Sequence, residues 1–242
     1  SAAATLVRRY QAPEARQAVA VDATHFYAIA NAWIAKYEKE SGRRVAEWKG
    51  PADGPIRHLN SGIIVDGRLY CAHSNYPETP MVSSIEIFDT ATLQHVGSHS
   101  FGFGHGSATW VERRDGSWWV AFAHYAGKGG EPGKGPERTV LVRYDDDWRE
   151  QEAWAFPKAL IERWDGMSSS GGVWSADGRL YTTGHHAREL YVLKLPSAGA
   201  VLVLERIVPM ESEGQGIAID RGTGLLWSIQ RKTGEVLVST LR

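Results

Sequence analysis

The sequence lacks the features that would place it at a membrane, on a nucleic acid or in a disulfide framework. A single cysteine, Cys71, excludes an internal disulfide and any zinc site made of cysteines, and its place within an apolar strand favours an inert buried thiol. No run of 18 apolar residues occurs, so we expect no membrane span. The net charge of -1 lacks the basic excess of a nucleic-acid-binding surface. We expect a small-molecule substrate, no nucleic-acid or membrane partner, and a monomer.

The sequence gives little information on the cellular compartment. Its first four residues, Ser-Ala-Ala-Ala, fit either the remnant of a cleaved signal peptide or an artificial extension. The periplasm or the cell exterior is somewhat favoured over the cytoplasm.

Short apolar strands are abundant, and they recur at a spacing of about 45 to 60 residues. Each unit is a strand, a turn of Asp-Gly type, and a second strand with an aromatic residue near its start. The five copies lie at residues 18–31, 62–75, 108–125, 172–186 and 216–231. The 26 glycines and 10 tryptophans, with few long helical patterns, also favour an all-β protein rich in turns.

Each unit continues into two further strands except the fifth, which is followed only by residues 235–241. Its missing strand is predicted at residues 5–11. The pattern predicts an all-β, five-bladed β-propeller with four-stranded blades, closed by the N-terminal strand joining the last blade. We expect one domain, residues 1–242, with blades at approximately 13–50, 56–102, 103–157, 168–209, and 212–242 plus 5–11. A β-sandwich, the alternative, explains neither the fivefold repeat nor the unpartnered first strand.

Three local features complete the expected fold. Residues 127–136 are glycine-rich and are predicted to form a flexible loop inside the third blade. Residues 157–167 are predicted to contain a short helical insertion. Gly62, Gly106, Gly172 and Gly216 are expected to be packing glycines, because strands crowd at the centre of a propeller.

A propeller brings distant segments together at one mouth of its central channel. These are the segments just before the first strand and just after the second strand of each blade, counted from the axis. Six of the nine histidines fall in these segments: His58, His73, His105, His124, His185 and His186. This crowding predicts a functional site, because so many imidazoles with nearby carboxylates and arginines are not needed for folding.

The candidate catalytic residues follow from that geometry. His73, His124 and His185 occupy similar positions on adjacent blades and rank first, followed by His58, His105 and Tyr125. The candidate substrate-binding residues are Arg16, Asn60, Asn75, Tyr76, Glu213 and Gln215.

Two chemistries fit the histidines, and the sequence leaves both open. In one, the neutral imidazoles of His73, His124 and His185 bind one divalent metal ion (Mn, Zn or Ca), which polarises a carboxylate or carbonyl. In the other, a histidine moves a proton without a metal, with Tyr76 or Tyr125 as the partner acid. An arginine would then bind an anionic group of the substrate. No organic cofactor is expected.

Several segments resemble a group of small bacterial five-bladed propeller proteins that carry the label cycloisomerase, and the likeness extends over the whole chain. They are RHLNSG (57–62), YCAHSNYP (70–77), SIEIFDT (84–90), DGMSSSGG (165–172), DGRLYTTGHHARELYVL (177–193) and SEGQGIA (212–218). The blade count is also similar to that of plant-type glutaminyl cyclases and arabinanases, although the arabinanase carboxylate trio is not evident. The histidine-rich mouth resembles that of propeller polysaccharide lyases, which implies elimination chemistry.

The function expected from these observations is that of a lyase or cycloisomerase. It would abstract a proton and drive elimination or cyclisation on a small, oxygen-rich, anionic substrate of uronate or lactone type. One alternative is a non-catalytic carbohydrate-binding or interaction propeller. Another is aminoacyl cyclisation like that of glutaminyl cyclase, which requires an acidic residue to hold a free amine, with Glu213 as the attractive candidate.

Overall fold

The computed structural model describes residues 3–242, so Ser1 and Ala2 of the N-terminal segment lie outside the described residues. Those 240 residues form five antiparallel sheets of four strands each. The strands, in chain order, are β1 (Ala4–Gln11), β2 (Ala18–Val21), β3 (His25–Ala30), β4 (Trp33–Glu38), β5 (Arg44–Lys49), β6 (His58–Val65), β7 (Arg68–Ser74), β8 (Ser83–Asp89), β9 (His95–Gly102), β10 (Ser107–Arg114), β11 (Ser117–Ala123), β12 (Val140–Tyr144), β13 (Glu150–Ala155), β14 (Gly171–Trp174), β15 (Leu180–Thr183), β16 (Glu189–Lys194), β17 (Val203–Pro209), β18 (Ala218–Ile219), β19 (Leu226–Gln230) and β20 (Glu235–Leu241).

The sheets are the blades of a five-bladed β-propeller, as the repeat predicts. Blades one to four contain β2–β5, β6–β9, β10–β13 and β14–β17, and the fifth has the order β18-β19-β20-β1. The innermost strands β2, β6, β10, β14 and β18 contact one another in that order around the axis, and β18 returns to β2. Neighbouring blades thus bury the sheet faces that would otherwise be exposed to water.

The N-terminal strand closes the ring. β1 pairs antiparallel with β20, from Ala4 opposite Leu241 to Gln11 opposite Glu235. Tyr10 of β1 packs into the core where the first and last blades meet. Its ring lies 4.6 Å from that of Phe26 in blade one and 5.6 Å from that of Trp227 in blade five. The predicted closure by the N-terminal strand is therefore confirmed.

Apolar and aromatic side chains fill the space between adjacent blades. One cluster joins blades three and four through Trp110, Trp119 and Trp174, with the rings of the last two 5.0 Å apart. Cys71 lies in another cluster, between blades one and two, where complete burial raises the pKa of its thiol. This burial agrees with the expectation of an inert cysteine.

Strands approach so closely at the centre that several positions accept only glycine, as Gly172 and Gly216 show. A Cβ atom at Gly172 would lie 2.4 Å from the ring of Trp110, and one at Gly216 would lie 2.3 Å from both Ala18 Cβ and Ser61 Oγ. At the opposite ends of the strands, Asp66-Gly67 and Asp115-Gly116 have positive φ at both residues, the conformation that two-residue hairpins require.

Helical structure is short in the described part of the chain. The predicted insertion between blades three and four contains the α-helix α1 (Lys158–Arg163). A 3-10 turn at residues 136–138 follows the glycine-rich loop. Among residues 3–242, no helix has the length and apolar character needed to cross a bilayer.

Candidate functional site

A cavity of about 440 Å³ opens at one mouth of the channel, and we call it the central cavity. Every blade contributes to it, from residues at or before the start of its first strand or from residues after its second strand. The lining residues are Gln17, Asn31, His58, Asn60, Tyr76, Pro77, Tyr125, Lys128, Met167, Ser170, His185, Gln215 and Arg231. The predicted convergence of these segments therefore occurs.

Local irregularities aim several side chains at the axis. Asn60 and Ser61 form a β-bulge in β6, where two residues face Ala72 alone on β7. Gln215 has a φ of +68°, and its side-chain amide donates a hydrogen bond of 2.8 Å to the His185 carbonyl oxygen. The Gln17 amide likewise donates to Asn31 Oδ1 at 2.8 Å. These contacts fix the polar wall of the cavity before any ligand binds.

His58 lies in the cavity wall as a neutral imidazole. Desolvation lowers its pKa to about 4, and the neighbouring His73, Arg231 and Lys128 side chains shift it in the same direction. The ring of Tyr76 covers it at a centroid distance of 4.9 Å, and Tyr125 packs against Tyr76 at 5.0 Å. Burial raises the pKa of both phenols, so both remain protonated at neutral pH.

His185 lines the central cavity from blade four and is only partly buried. Desolvation lowers the pKa of its imidazole, and the charges of Arg231 and His186 lower it further. The side chain of His186 points elsewhere and does not line the central cavity. His185 is therefore a neutral, accessible imidazole that can accept a proton.

Arg231 is the dominant charge of the central cavity. Among residues 3–242 its guanidinium makes no ion pair, and its buried Nε has no hydrogen-bond partner. Burial and the neighbouring charge of Arg16 lower the pKa of this guanidinium, which nevertheless stays protonated at neutral pH. Lys128 adds a second positive charge, and no carboxylate occurs among the lining residues. A half-buried, unpaired guanidinium in such a cavity favours an anionic ligand.

Of the predicted site residues, the structure brings six to the central cavity: His58, Asn60, Tyr76, Tyr125, His185 and Gln215. Their assigned roles stay predictions. The other six lie elsewhere, and their positions are described in turn.

His73 is held inside blade two. Its Nε2 accepts a hydrogen bond from the Arg57 amide at 2.9 Å, and its Nδ1 bonds Ser84 Oγ at 2.9 Å. Ser84 in turn donates to Glu86 Oε2 at 2.7 Å. With both nitrogens engaged by the protein, His73 has no free atom for a substrate or a metal ion. The prediction placed it at the mouth because it could not specify which way the side chain leaves β7.

His105 and His124 line a different cavity, of about 520 Å³, between blades two and three. The Nε2–H of His124 donates to the His105 carbonyl oxygen at 2.7 Å, and His105 Nε2 pairs with Glu150 Oε2 at 2.9 Å. Gly106 is needed here, because a Cβ atom would lie 2.8 Å from His124 Nε2. These two histidines are thus separated from His185 and His58.

Asn75, Glu213 and Arg16 also lie outside the central cavity. Asn75 holds its own loop, since its Oδ1 accepts the Val82 amide at 3.0 Å. Glu213 Oε1 lies 3.5 Å from Arg188 and 3.4 Å from Lys232. Arg16 lines a neighbouring cavity that shares Arg231 with the central one.

These placements correct the predicted metal centre. His73, His124 and His185 do not converge, and among residues 3–242 no group of three or more His, Cys, Asp or Glu side chains is arranged to hold a metal ion. The three positions differ in the structure, since His73 lies within β7, His124 directly follows β11, and His185 lies two residues beyond β15. The predicted three-histidine ligand set is therefore not formed by these side chains.

Sequence reasoning missed the cationic residues of the central cavity. Arg231 was among the converging segments, but its lack of an ionic partner depends on the whole fold. Lys128 lies in the loop at residues 127–136, and Gly129 of that loop is packed so closely on Tyr76 that a Cβ would lie 2.4 Å from the ring. The only sequence signal for Lys128 was its position shortly after the second strand of blade three.

Comparisons with known proteins show the fold. No protein-family model matches the chain, and no curated protein matches its sequence. A glutaminyl cyclase from Myxococcus xanthus superposes with a TM-score of 0.66 at 13% identity, covering 99% of this chain and 97% of that one. The WD40 β-propeller domain of Doa1 gives 0.52 at 7% identity, covering 99% and 97%. A chain of the mitotic checkpoint complex gives 0.50 at 8%, covering 97% and 91%. At these identities the similarity establishes a β-propeller and no activity. The resemblance to proteins labelled cycloisomerase stays a prediction.

Proposed function

We propose that the protein is an enzyme that binds a small, oxygen-rich anion in the central cavity and transfers protons on it, as a lyase or cycloisomerase. The observation that carries this proposal is Arg231. Its unpaired, half-buried guanidinium faces a cavity that has two cations and no carboxylate among its lining residues. A substrate carboxylate would supply the missing partner and would be bound with two charge-assisted hydrogen bonds.

The neutral imidazoles supply the base. A group with a pKa of about 4, like that of His58, is a weak base near neutral pH, so we assign proton abstraction to the more accessible His185. Arg231 acidifies the C–H bond next to the bound carboxylate by stabilising the negative charge that develops there. His58 is left to accept a hydrogen bond from a substrate hydroxyl.

The step balances as a β-elimination. His185 takes the proton from the carbon beside the carboxylate, and the electrons of that C–H bond form a C=C bond to the next carbon. The C–O bond at that carbon breaks, and the leaving oxygen takes a proton from the phenol of Tyr76 or Tyr125. The raised pKa of both phenols keeps them protonated and available as acids.

Aminoacyl cyclisation is the second candidate, because a glutaminyl cyclase shares the fold. The cavity is less suited to it. An α-ammonium group needs a carboxylate, and Glu213, the residue predicted for that role, lies with Arg188 and Lys232 outside the cavity. This candidate therefore ranks below the anionic substrate.

The test is a turnover screen of uronates, lactones and glutaminyl peptides. Elimination is followed by the ultraviolet absorbance of the new C=C bond. We expect His185→Ala and Arg231→Met to lose at least a hundredfold in kcat/KM. The matched controls His186→Ala and Arg188→Met, whose side chains do not line the cavity, should retain turnover.

Each other outcome overturns the proposal in a recognisable way. Turnover of glutaminyl peptides alone would select the cyclase. Arg231-dependent binding of uronates without any turnover would select a carbohydrate-binding propeller. Full activity of both site variants would remove the central cavity from the reaction.

A further inference from the structure

A third cavity, of about 510 Å³, opens beside the central cavity on blade one, and we call it the blade-one cavity. The two cavities share the lining residues Gln17, Asn31 and Arg231. Because Arg231 belongs to both walls, an anion bound to it lies where the two spaces meet. The two cavities together offer more room than a single small ring requires.

The blade-one cavity is lined by apolar residues and by cationic side chains. Ala30, Ala32, Gly50, Ala52 and the indole of Trp33 supply its apolar lining. The charged residues of its wall are Arg16, Lys49 and Arg231, and no carboxylate lines it. A flat ring with C–H groups on its face and a carboxylate at its edge matches this combination.

Within the described part of the chain, the cations of this wall lack ion-pair partners, although the Glu47 carboxylate is near enough to Lys49 for their charges to attract. Lys49 Nζ lies 4.9 Å from the centroid of the Trp33 ring, and Trp33 Nε1 donates to Glu47 Oε2 at 2.7 Å, which fixes the indole. Among residues 3–242, neither Arg16 nor Lys49 forms an ion pair, and Arg16 is close enough to Arg231 to repel its charge. An anionic ligand would relieve this repulsion.

We propose that the substrate is an oligomer of acidic sugars at least two units long, with one unit in the central cavity and the next in the blade-one cavity, where its carboxylate pairs with Arg16 and Lys49. The proposal rests on the function proposed above for the central cavity. The amides of Gln17 and Asn31, which line both cavities, face the linkage between the two units. The blade-one cavity then determines which substrate lengths bind tightly, and the reaction takes place in the central cavity.

The probes are galacturonate, digalacturonate and trigalacturonate, with affinity measured by calorimetry at low ionic strength. We expect the dimer to bind at least tenfold more tightly than the monomer, with little further gain for the trimer. The double variant Arg16→Ala/Lys49→Ala should lose about tenfold in affinity for the dimer, equivalent to about 1.4 kcal/mol. Its affinity for galacturonate should stay within about twofold of wild type, because the monomer occupies the central cavity, which neither residue lines.

The matched control is Lys158→Ala/Arg206→Ala, which removes the same two charges from exposed positions that line neither cavity. It should leave both affinities unchanged. Thermal melting of each variant confirms that it is folded.

The outcomes separate the two proposals. One outcome is that monomer and dimer bind equally, that Arg231→Met weakens the binding of both, and that the Arg16/Lys49 variant weakens the binding of neither. The oligomeric substrate is then excluded, and the anion site proposed in the central cavity is supported. If Arg231→Met leaves the binding of galacturonate unchanged, or if no uronate of any length binds, the function proposed for the central cavity fails together with this extension.

Discussion

The phenol ring of Tyr76 lies against the imidazole of His58, with the ring centroids 4.9 Å apart and the planes tilted by 39°. Tyr76 itself follows β7, so one blade supplies both the imidazole, from β6, and its cover. Covering an imidazole removes the water that would stabilise its charged form. This contact contributes to the burial that lowers the pKa of His58 to about 4 and keeps it neutral.

Removing the cover should restore the basicity of His58. In Tyr76→Ala, water reaches the imidazole, and we expect the pKa of His58 to rise from about 4 toward its ordinary value of 6.5. An NMR titration of the histidine ring protons measures this directly. The control Tyr76→Phe keeps the ring and should leave the pKa low. A pKa that is equally low in Tyr76→Ala would show that other groups desolvate His58.

His73 should behave as a structural residue. Its two nitrogens bond the exposed Arg57 amide and the partly buried Ser84 Oγ, so His73→Ala removes two hydrogen bonds. We expect the free energy of unfolding to fall by about 2 kcal/mol, as measured by urea denaturation. Turnover per folded molecule should be retained. Loss of turnover with unchanged stability would return His73 to the catalytic site.

The repeat made most of the fold predictable. Its spacing specified five units, and the unpartnered strand at residues 5–11 specified how the ring closes. Packing glycines such as Gly172 and Gly216 could also be predicted, because strands at a common axis leave no room for a Cβ. These features depend on local pattern and chain order, which a sequence displays directly.

The site was only partly predictable, because it depends on directions that the pattern does not encode. Sequence position brought His58, His73 and His185 to the same mouth, but β7 directs the His73 ring toward Ser84 inside blade two, whereas His185 faces the axis. The importance of Arg231 arises from what surrounds it. An absent ionic partner is a property of the folded molecule and leaves no mark in the sequence.

Tyr10 should be the most sensitive position of the ring closure. Its ring packs on Phe26 and Trp227, and its hydroxyl donates to the Lys39 carbonyl oxygen at 2.6 Å. Tyr10→Ala should lower the free energy of unfolding by about 3 kcal/mol, and Tyr10→Phe by about 1 kcal/mol. The control in the same strand is Val7→Ala, because Val7 lies at a register shift and is 54% exposed. Urea denaturation compares all three, and equal losses at positions 7 and 10 would contradict this account.

Glu112 lies toward the opposite end of the channel from the central cavity. We expect it to make the free energy of unfolding depend on pH. This residue of β10 is 1% exposed, and its Oε2 accepts the Trp174 amide at 2.8 Å. Arg221 approaches the same oxygen at 3.4 Å, yet burial prevails and raises the pKa of Glu112 to about 7.

Above pH 4.5, the ordinary pKa of a glutamate, the folded protein retains on Glu112 a proton that the unfolded chain releases. The stabilisation linked to this proton is complete below pH 4.5 and is lost as the pH rises through 7, for a total of about 3 kcal/mol. Glu112→Gln cannot titrate, so its stability relative to wild type should rise by about that amount between pH 4.5 and 8.

His58 acts in the opposite direction, since its stabilising effect is lost as the pH falls from 6.5 through 4. Because His58 is present in both proteins, its effect cancels in the difference. Urea denaturation of both proteins across this range measures the difference, and parallel stability curves would show that Glu112 is ionised in the folded protein throughout.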